Sequence, residues 1–127
     1  MPNVDDSLGK FSISLAVKDL EASRSFYQKL GFVPEAGDGK SWQVLRNGEA
    51  TIGLVQGMFE RNILTFTPGW GSERKELASF ADVRVLHARA RAAGLATTDE
   101  AGLDGTGPGS FMLTDPDGNP VLIDQHV

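Results

Sequence analysis

Few residues of this chain could do chemistry. It has no cysteine, so thiol nucleophiles, thiolate metal sites and disulfides are excluded, and it has two histidines, His87 and His126. His87 falls at the edge of an amphipathic helical stripe, where a boundary role accounts for it, and His126 is the second residue from the end of the sequence, where a surface role does. No nucleophile elbow is present, and no Ser-His-Asp triad can be placed by spacing. Asp124 is the carboxylate best placed for acid–base work, because it sits inside the last apolar run, whereas Glu49 and Glu60 fall near strand ends. The run Gly105-Thr106-Gly107-Pro108-Gly109 lacks the Lys-Ser/Thr ending of a phosphate loop and opens no helix. Trp42 and Trp70 carry faces that could stack on an aromatic or cationic ligand, or could fill core and loop.

The elements that must position these groups can be read from periodicity. Phe11 to Val17 alternates large and small residues, with Phe11, Ile13, Leu15 and Val17 on the heavy face of a strand. Asp19 stands as N-cap of a helix whose stripe is Leu20, Ser23, Phe26, Tyr27 and Leu30, and Gly31 closes it. Phe32 to Pro34 leads to a Gly37-Asp38-Gly39 turn, and strands at 41–46 and 50–55 are joined at Asn47-Gly48. A strand at 62–67 opens a second round, followed by loop from Pro68 through Ser72. Asp82 then caps a helix with Val83, Leu86, Ala90 and Ala93 on its stripe, and Gly94 closes it. The intervals Asp19 to Gly31 and Asp82 to Gly94 are equal, which marks an internal repeat of period 63. Residues 99–109 read as a flexible connection, and strands at about 110–114 and 121–125 flank the turn Asp115-Pro116-Asp117-Gly118-Asn119. The passage from 68 to 81 is an insertion in the second copy.

At 127 residues the chain suits one compact domain, built from a module at about 11–56 and another at about 61–127. The first six residues carry two acids and no basic n-region, so they do not read as a signal peptide, and no apolar run reaches a membrane span. A cytoplasmic protein is the expectation. A net charge of −5 without a basic stripe argues against nucleic-acid partners.

In this order and spacing, Val17-Lys18-Asp19-Leu20-Glu21-Ala22-Ser23, Phe26-Tyr27, Leu30-Gly31-Phe32 and the terminal Asp115 to Asn119 motif resemble the vicinal oxygen chelate superfamily of glyoxalases, bleomycin resistance proteins and extradiol dioxygenases. The resemblance implies an α+β fold of two tandem βαβββ modules, a cupped mixed sheet with helices on its outer face, and often a homodimer. Metal enzymes of the superfamily place one His, Glu or Gln ligand on each of four cup strands. The matching positions here hold Ser12, Gly53, Asn62 and Leu122, none a usual transition-metal ligand. No cofactor is therefore predicted, with a divalent metal as the disfavoured alternative.

Strand parity puts Ser12, Ser14 and Ala16, then Thr51, Gly53 and Val55, then Asn62, Leu64 and Phe66 on the inner face, with Leu122 and Asp124 on the last strand and Trp42 at the mouth. Small floors with a few hydroxyl and amide groups suit an organic molecule held by burial and two or three hydrogen bonds. The expected function is metal-free binding or sequestration of such a ligand. The alternative is a lyase, isomerase or dioxygenase-like enzyme acting on a small oxygenated metabolite, with Asp124 as its acid–base group.

Overall fold

The computed structural model describes residues 7–71 and 75–127. The Met1 to Asp6 run and Ser72 of the inserted loop lie outside the described residues. The chain divides into two compact units, Ser12–Leu64 and Thr65–Val127, the latter joined by the chain up to Phe11.

In the first unit, strand β1 (Lys10–Val17) leads into helix α1 (Leu20–Lys29), followed by β2 (Val33–Gly37), β3 (Trp42–Asn47) and β4 (Ala50–Gln56). The sheet order is β2-β3-β4-β1. β1 runs parallel to β4, and the other pairs are antiparallel. Asp19 caps α1 by accepting the Ala22 N–H at 3.1 Å, and Gly31 follows the helix at φ 103°, a left-handed position that an L side chain rarely takes. Leu20, Leu45, Ile52 and Leu54 form the buried core, with Ile13, Leu15, Val17, Tyr27 and Phe32 packed around it. The heavy face of β1 is thus the face against α1. The helical stripe is narrower than the sequence suggests, since Phe26 and Leu30 are exposed.

The second unit repeats this plan. Strand β5 (Ile63–Thr67) crosses from one unit to the other and precedes α2 (Val83–Ala92), β6 (Thr98–Ala101), β7 (Gly109–Thr114) and β8 (Pro120–Gln125). The sheet order here is β5-β8-β7-β6. Its core is Ala81, Val83, Leu86, Phe111 and Ile123. Each half is therefore βαβββ with its helix on one face of a mixed sheet, as the motifs imply. One expectation fails: part of the supposed connection over 99–109 is β6, paired to β7 through Thr98↔Met112 and Ala101↔Ser110. The rest is strapped down, because the Arg84 guanidinium donates to the carbonyls of Gly102 at 2.7 Å and Gly107 at 2.9 Å.

The repeat extends to a device that spacing does not reveal. Gln56, at the end of β4, accepts the Leu20 N–H at 2.7 Å, and Gln125, at the end of β8, accepts the Val83 N–H at 2.8 Å. In both halves the last strand thus satisfies the first free amide of the helix.

Turn carboxylates make the fold acid-sensitive. The Ser41 hydroxyl and the Trp42, Lys40 and Ser41 amides hold Asp38 well below the usual carboxylate range. The Asn119 side chain, then the Asn119, Asp117 and Gly118 amides, lower Asp115 against a small desolvation cost. Burial raises Asp82, but the Arg84 amide and guanidinium and the Gln125 amide lower it further. Hydrogen bonds from Thr97 and His87 lower Glu100. Groups depressed on folding contribute stability above their unfolded pKa and lose it as pH falls through the folded value. The melting temperature should be flat between pH 7 and about pH 5 and fall progressively below about pH 4. The same titration on Asp115→Asn should show a shallower acid limb, and an unchanged limb would remove this turn from the account.

Candidate functional site

The face of the first unit turned away from α1 is built by alternation. Because Leu45, Ile52 and Leu54 face the helix, Trp42, Val44 and Arg46 of β3 and Thr51, Gly53 and Val55 of β4 lie on the opposite side. Register pairs them as Trp42↔Val55, Val44↔Gly53 and Arg46↔Thr51. β1 adds Ser14 beside Gly53 and Ala16 beside Val55, with Ser12 one step before Ile13 on the same face as Ser14. A Cβ on Gly53 would stand 3.4 Å from the Ser14 hydroxyl, so the floor is narrow at this point. Ser12, Ser14, Trp42, Thr51 and Gly53 thus share the face turned away from α1, with Trp42 exposed and Thr51 and Gly53 buried.

Sequence reasoning missed three residues of this face, Val44, Arg46 and Glu35. β2 pairs with β3 through Pro34↔Leu45 and then Ala36↔Val44, so Glu35 is the extra residue of a β-bulge. Val33, two residues earlier, pairs with Arg46, so alternation puts Glu35 on the Arg46 side, and its Oε1 lies 3.4 Å from Arg46 Nε. Arg46 was legible, since it continues the alternation of Trp42 and Val44. Glu35 was not, because Val-Pro-Glu-Ala-Gly has no apolar alternation to mark 33–37 as a strand.

The third strand was read with the wrong parity. Phe66 packs on the core beneath α2 and against the Phe11 ring at 5.2 Å, so Phe66, and Leu64 two residues before it, lie on the helix side. The heavy-face rule that succeeds for β1 would have placed them correctly. Asn62 precedes β5, which starts at Ile63, and its side-chain oxygen accepts the Ala16 N–H at 3.0 Å.

In the second unit, Val121 and Ile123 pack beneath α2, which leaves Leu122 and Asp124 on the other face beside their partners Met112 and Ser110. Asp124 Oδ2 lies 3.1 Å from His126 Nε2, and the His126 ring stacks on Trp70 at 4.7 Å and 11°. His126 is therefore held in place, and Trp70 spends one ring face on it. His87 sits at the core edge, its ring against Phe111 and its Nε2 2.8 Å from Glu100. A concavity of about 540 Å³ lies elsewhere, lined by Leu95, Leu113, Pro116 and Val121 among others. It opens on the helix side, and its carboxylate, Asp115, is engaged within its own turn.

The positions matching the superfamily's metal ligands do not fit a metal. Gly53 and Leu122 have no side-chain donor, and the Asn62 oxygen is already used on β1. Among the described residues no group of three or more His, Asp or Glu is placed to hold an ion.

Comparison with solved structures places this chain beside a glyoxalase/bleomycin resistance protein/dioxygenase superfamily member from Vibrio splendidus, with TM-score 0.62 and 17% identity over 91% of this chain and 97% of that one. A methylmalonyl-CoA epimerase from Mycobacterium tuberculosis matches with TM-score 0.66 and 16% identity over 100% and 93%. A methylmalonyl-CoA epimerase from Streptomyces coelicolor, in complex with 2-nitronate-propionyl-CoA, matches with TM-score 0.61 and 18% identity over 95% and 99%. These likenesses show the fold. No curated protein matches by sequence. The family model of the Glyoxalase/Bleomycin resistance protein/Dioxygenase superfamily matches residues 11–123, nearly the whole of both βαβββ halves, and the chain belongs to that superfamily.

Proposed function

We propose that this protein binds a small organic molecule on the open face of its first unit and does so without a site metal. The observation that carries the reading is the donor set: Ser12, Gly53, Asn62 and Leu122 stand where metal-dependent relatives need four ligands, and two of them supply no donor at all. What remains on the open face is small floor residues, hydroxyls and an exposed indole, a lining for burial plus a few oriented hydrogen bonds. The reading includes a sequestering role, a homodimer and a cytoplasmic address. No helix among the described residues is long and apolar enough to cross a membrane.

Asp124 and His126 favour a second reading, a lyase or isomerase working by proton transfer. A carboxylate within hydrogen-bond reach of an imidazole is a usable acid–base pair. If that reading holds, Asp124→Asn abolishes turnover and leaves the melting curve in place, whereas unchanged turnover removes Asp124 from catalysis.

The first experiment is the metal content of tag-free protein by plasma mass spectrometry, after expression with Zn, Ni, Mn and Fe supplied and no chelator. The expected result is folded protein with metal far below one ion per chain. Near-stoichiometric metal would overturn the metal-free reading and move the search to glyoxalase-like and dioxygenase-like chemistry.

A further inference from the structure

We infer that Glu35, Arg46 and Thr51 form a recognition site for a neutral, hydroxyl-bearing head group, with the rest of the ligand lying along Val44, Gly53 and Val55 toward Trp42. This rests on the reading that the open face of the first unit holds the ligand.

Glu35 Oε2 and the Thr51 hydroxyl are buried in this row and have no hydrogen-bond partner among the described residues, while Arg46 Nε faces Glu35 Oε1. Thr51 is only 6% exposed. Nearly all buried polar groups in folded proteins are paired, so two orphans flanking one side chain call for a missing partner. Arg46 stands between them, the register partner of Thr51 on one side and 3.4 Å from Glu35 Oε1 on the other. β2 carries this carboxylate into the row beside Arg46, two residues after Val33, which pairs with Arg46.

The chemistry of the orphans selects the head group. An ionised carboxylate oxygen only accepts, whereas a threonine hydroxyl can both donate and accept. A hydroxylated head donates to the first and accepts from the second. Glu35 and Arg46 already cancel in charge, so an ammonium or a carboxylate brought here would be a buried charge without a counterion, and a neutral head is favoured. Both orphan atoms are covered in the free chain. Arg46 is the long side chain between them, and with 28% of it exposed it can shift outward to admit the head while its guanidinium stays beside Glu35. From Arg46 to Trp42 is four residues of strand, about 13 Å, which is the length of a one-ring molecule with a short chain.

The test uses three matched probes, 3-phenoxypropane-1,2-diol, the hydrocarbon-tailed phenyl propyl ether and 3-phenoxypropylamine. Binding is followed through assigned backbone amides in wild type, Thr51→Val and Glu35→Gln. The expected result is shifts confined to β3, β4 and β1, with the diol bound about tenfold more tightly than the ether or the amine. That advantage should disappear in both variants. Thr51→Val should also melt no lower than wild type, because it deletes a hydroxyl that has no partner in the free protein, and this separates lost recognition from lost fold. Equal binding of diol and ether on this face, a preference for the amine, or a diol advantage that survives in both variants would overturn the inference and leave the proposed function standing. Probe shifts elsewhere, or none, would overturn both.

Discussion

Replacing Gln125 by alanine should cost about 3 kcal/mol of stability and lower the melting temperature by about 10 °C, because a buried cavity and several orphaned backbone groups are created together. Gln125 is only 2% exposed. Its oxygen accepts the Val83 N–H at 2.8 Å, and its amide donates to the carbonyls of Gly107 and Val127, each at 2.9 Å, and to Asp82 at 3.3 Å. Each group left buried without a partner costs roughly 1–3 kcal/mol, and no water can easily replace a side chain this enclosed. The counterpart in the first half is the control. Gln56 makes the same bond to the Leu20 N–H but is exposed, so Gln56→Ala should cost under about 1 kcal/mol, since water can take the freed amide. Urea unfolding of the two variants decides the matter: equal losses would mean that burial is not what makes Gln125 matter.

The largest functional effect is expected at Gly53. An alanine Cβ would stand 3.4 Å from the Ser14 hydroxyl, an ordinary contact, so Gly53→Ala should fold normally and gain a few tenths of a kcal/mol from a less flexible unfolded chain, roughly 0.5 kcal/mol at most. A leucine would project across the row between Val44 and Ser14 and occupy the floor itself. Gly53 is buried, so Gly53→Leu should cost about 1–3 kcal/mol of stability yet remain folded, and lose ligand affinity by about thirtyfold or more, the equivalent of roughly 2 kcal/mol of steric conflict. Titration calorimetry with the diol probe measures this. Undiminished binding to the leucine variant would move the ligand off this face.

The fold was legible where the sequence carries local grammar. Asp19 with Gly31 and Asp82 with Gly94 bracket both helices, Asn47-Gly48 marks a hairpin, and the Asp115 to Asn119 turn separates the last two strands, because each depends on residues within a few positions of one another. β6 escaped notice because Thr-Asp-Glu-Ala has no apolar alternation and runs into a glycine-rich stretch. Half of the candidate face was equally legible from parity, namely Ser12, Ser14, Thr51 and Gly53. Glu35 was hidden because Val33–Gly37 has no apolar alternation, and its place is fixed only by pairing with β3. The same limit applies to the stacking of Trp70 on His126, which joins residues far apart in sequence.

The grip of Arg84 on the glycine-rich segment has a further consequence for how the second half comes apart. One guanidinium at the start of α2 holds Gly102, Gly107 and Asp82, and Gln125 of β8 holds Gly107 and Asp82 as well. A stretch whose composition resembles a linker is thereby tied at the same points as a helix terminus and a strand end. The helix start, the strand end and the loop cannot open one at a time without breaking shared bonds, so they form one cooperative unit, and amide exchange in 102–109 should follow that of α2 rather than that of an ordinary loop.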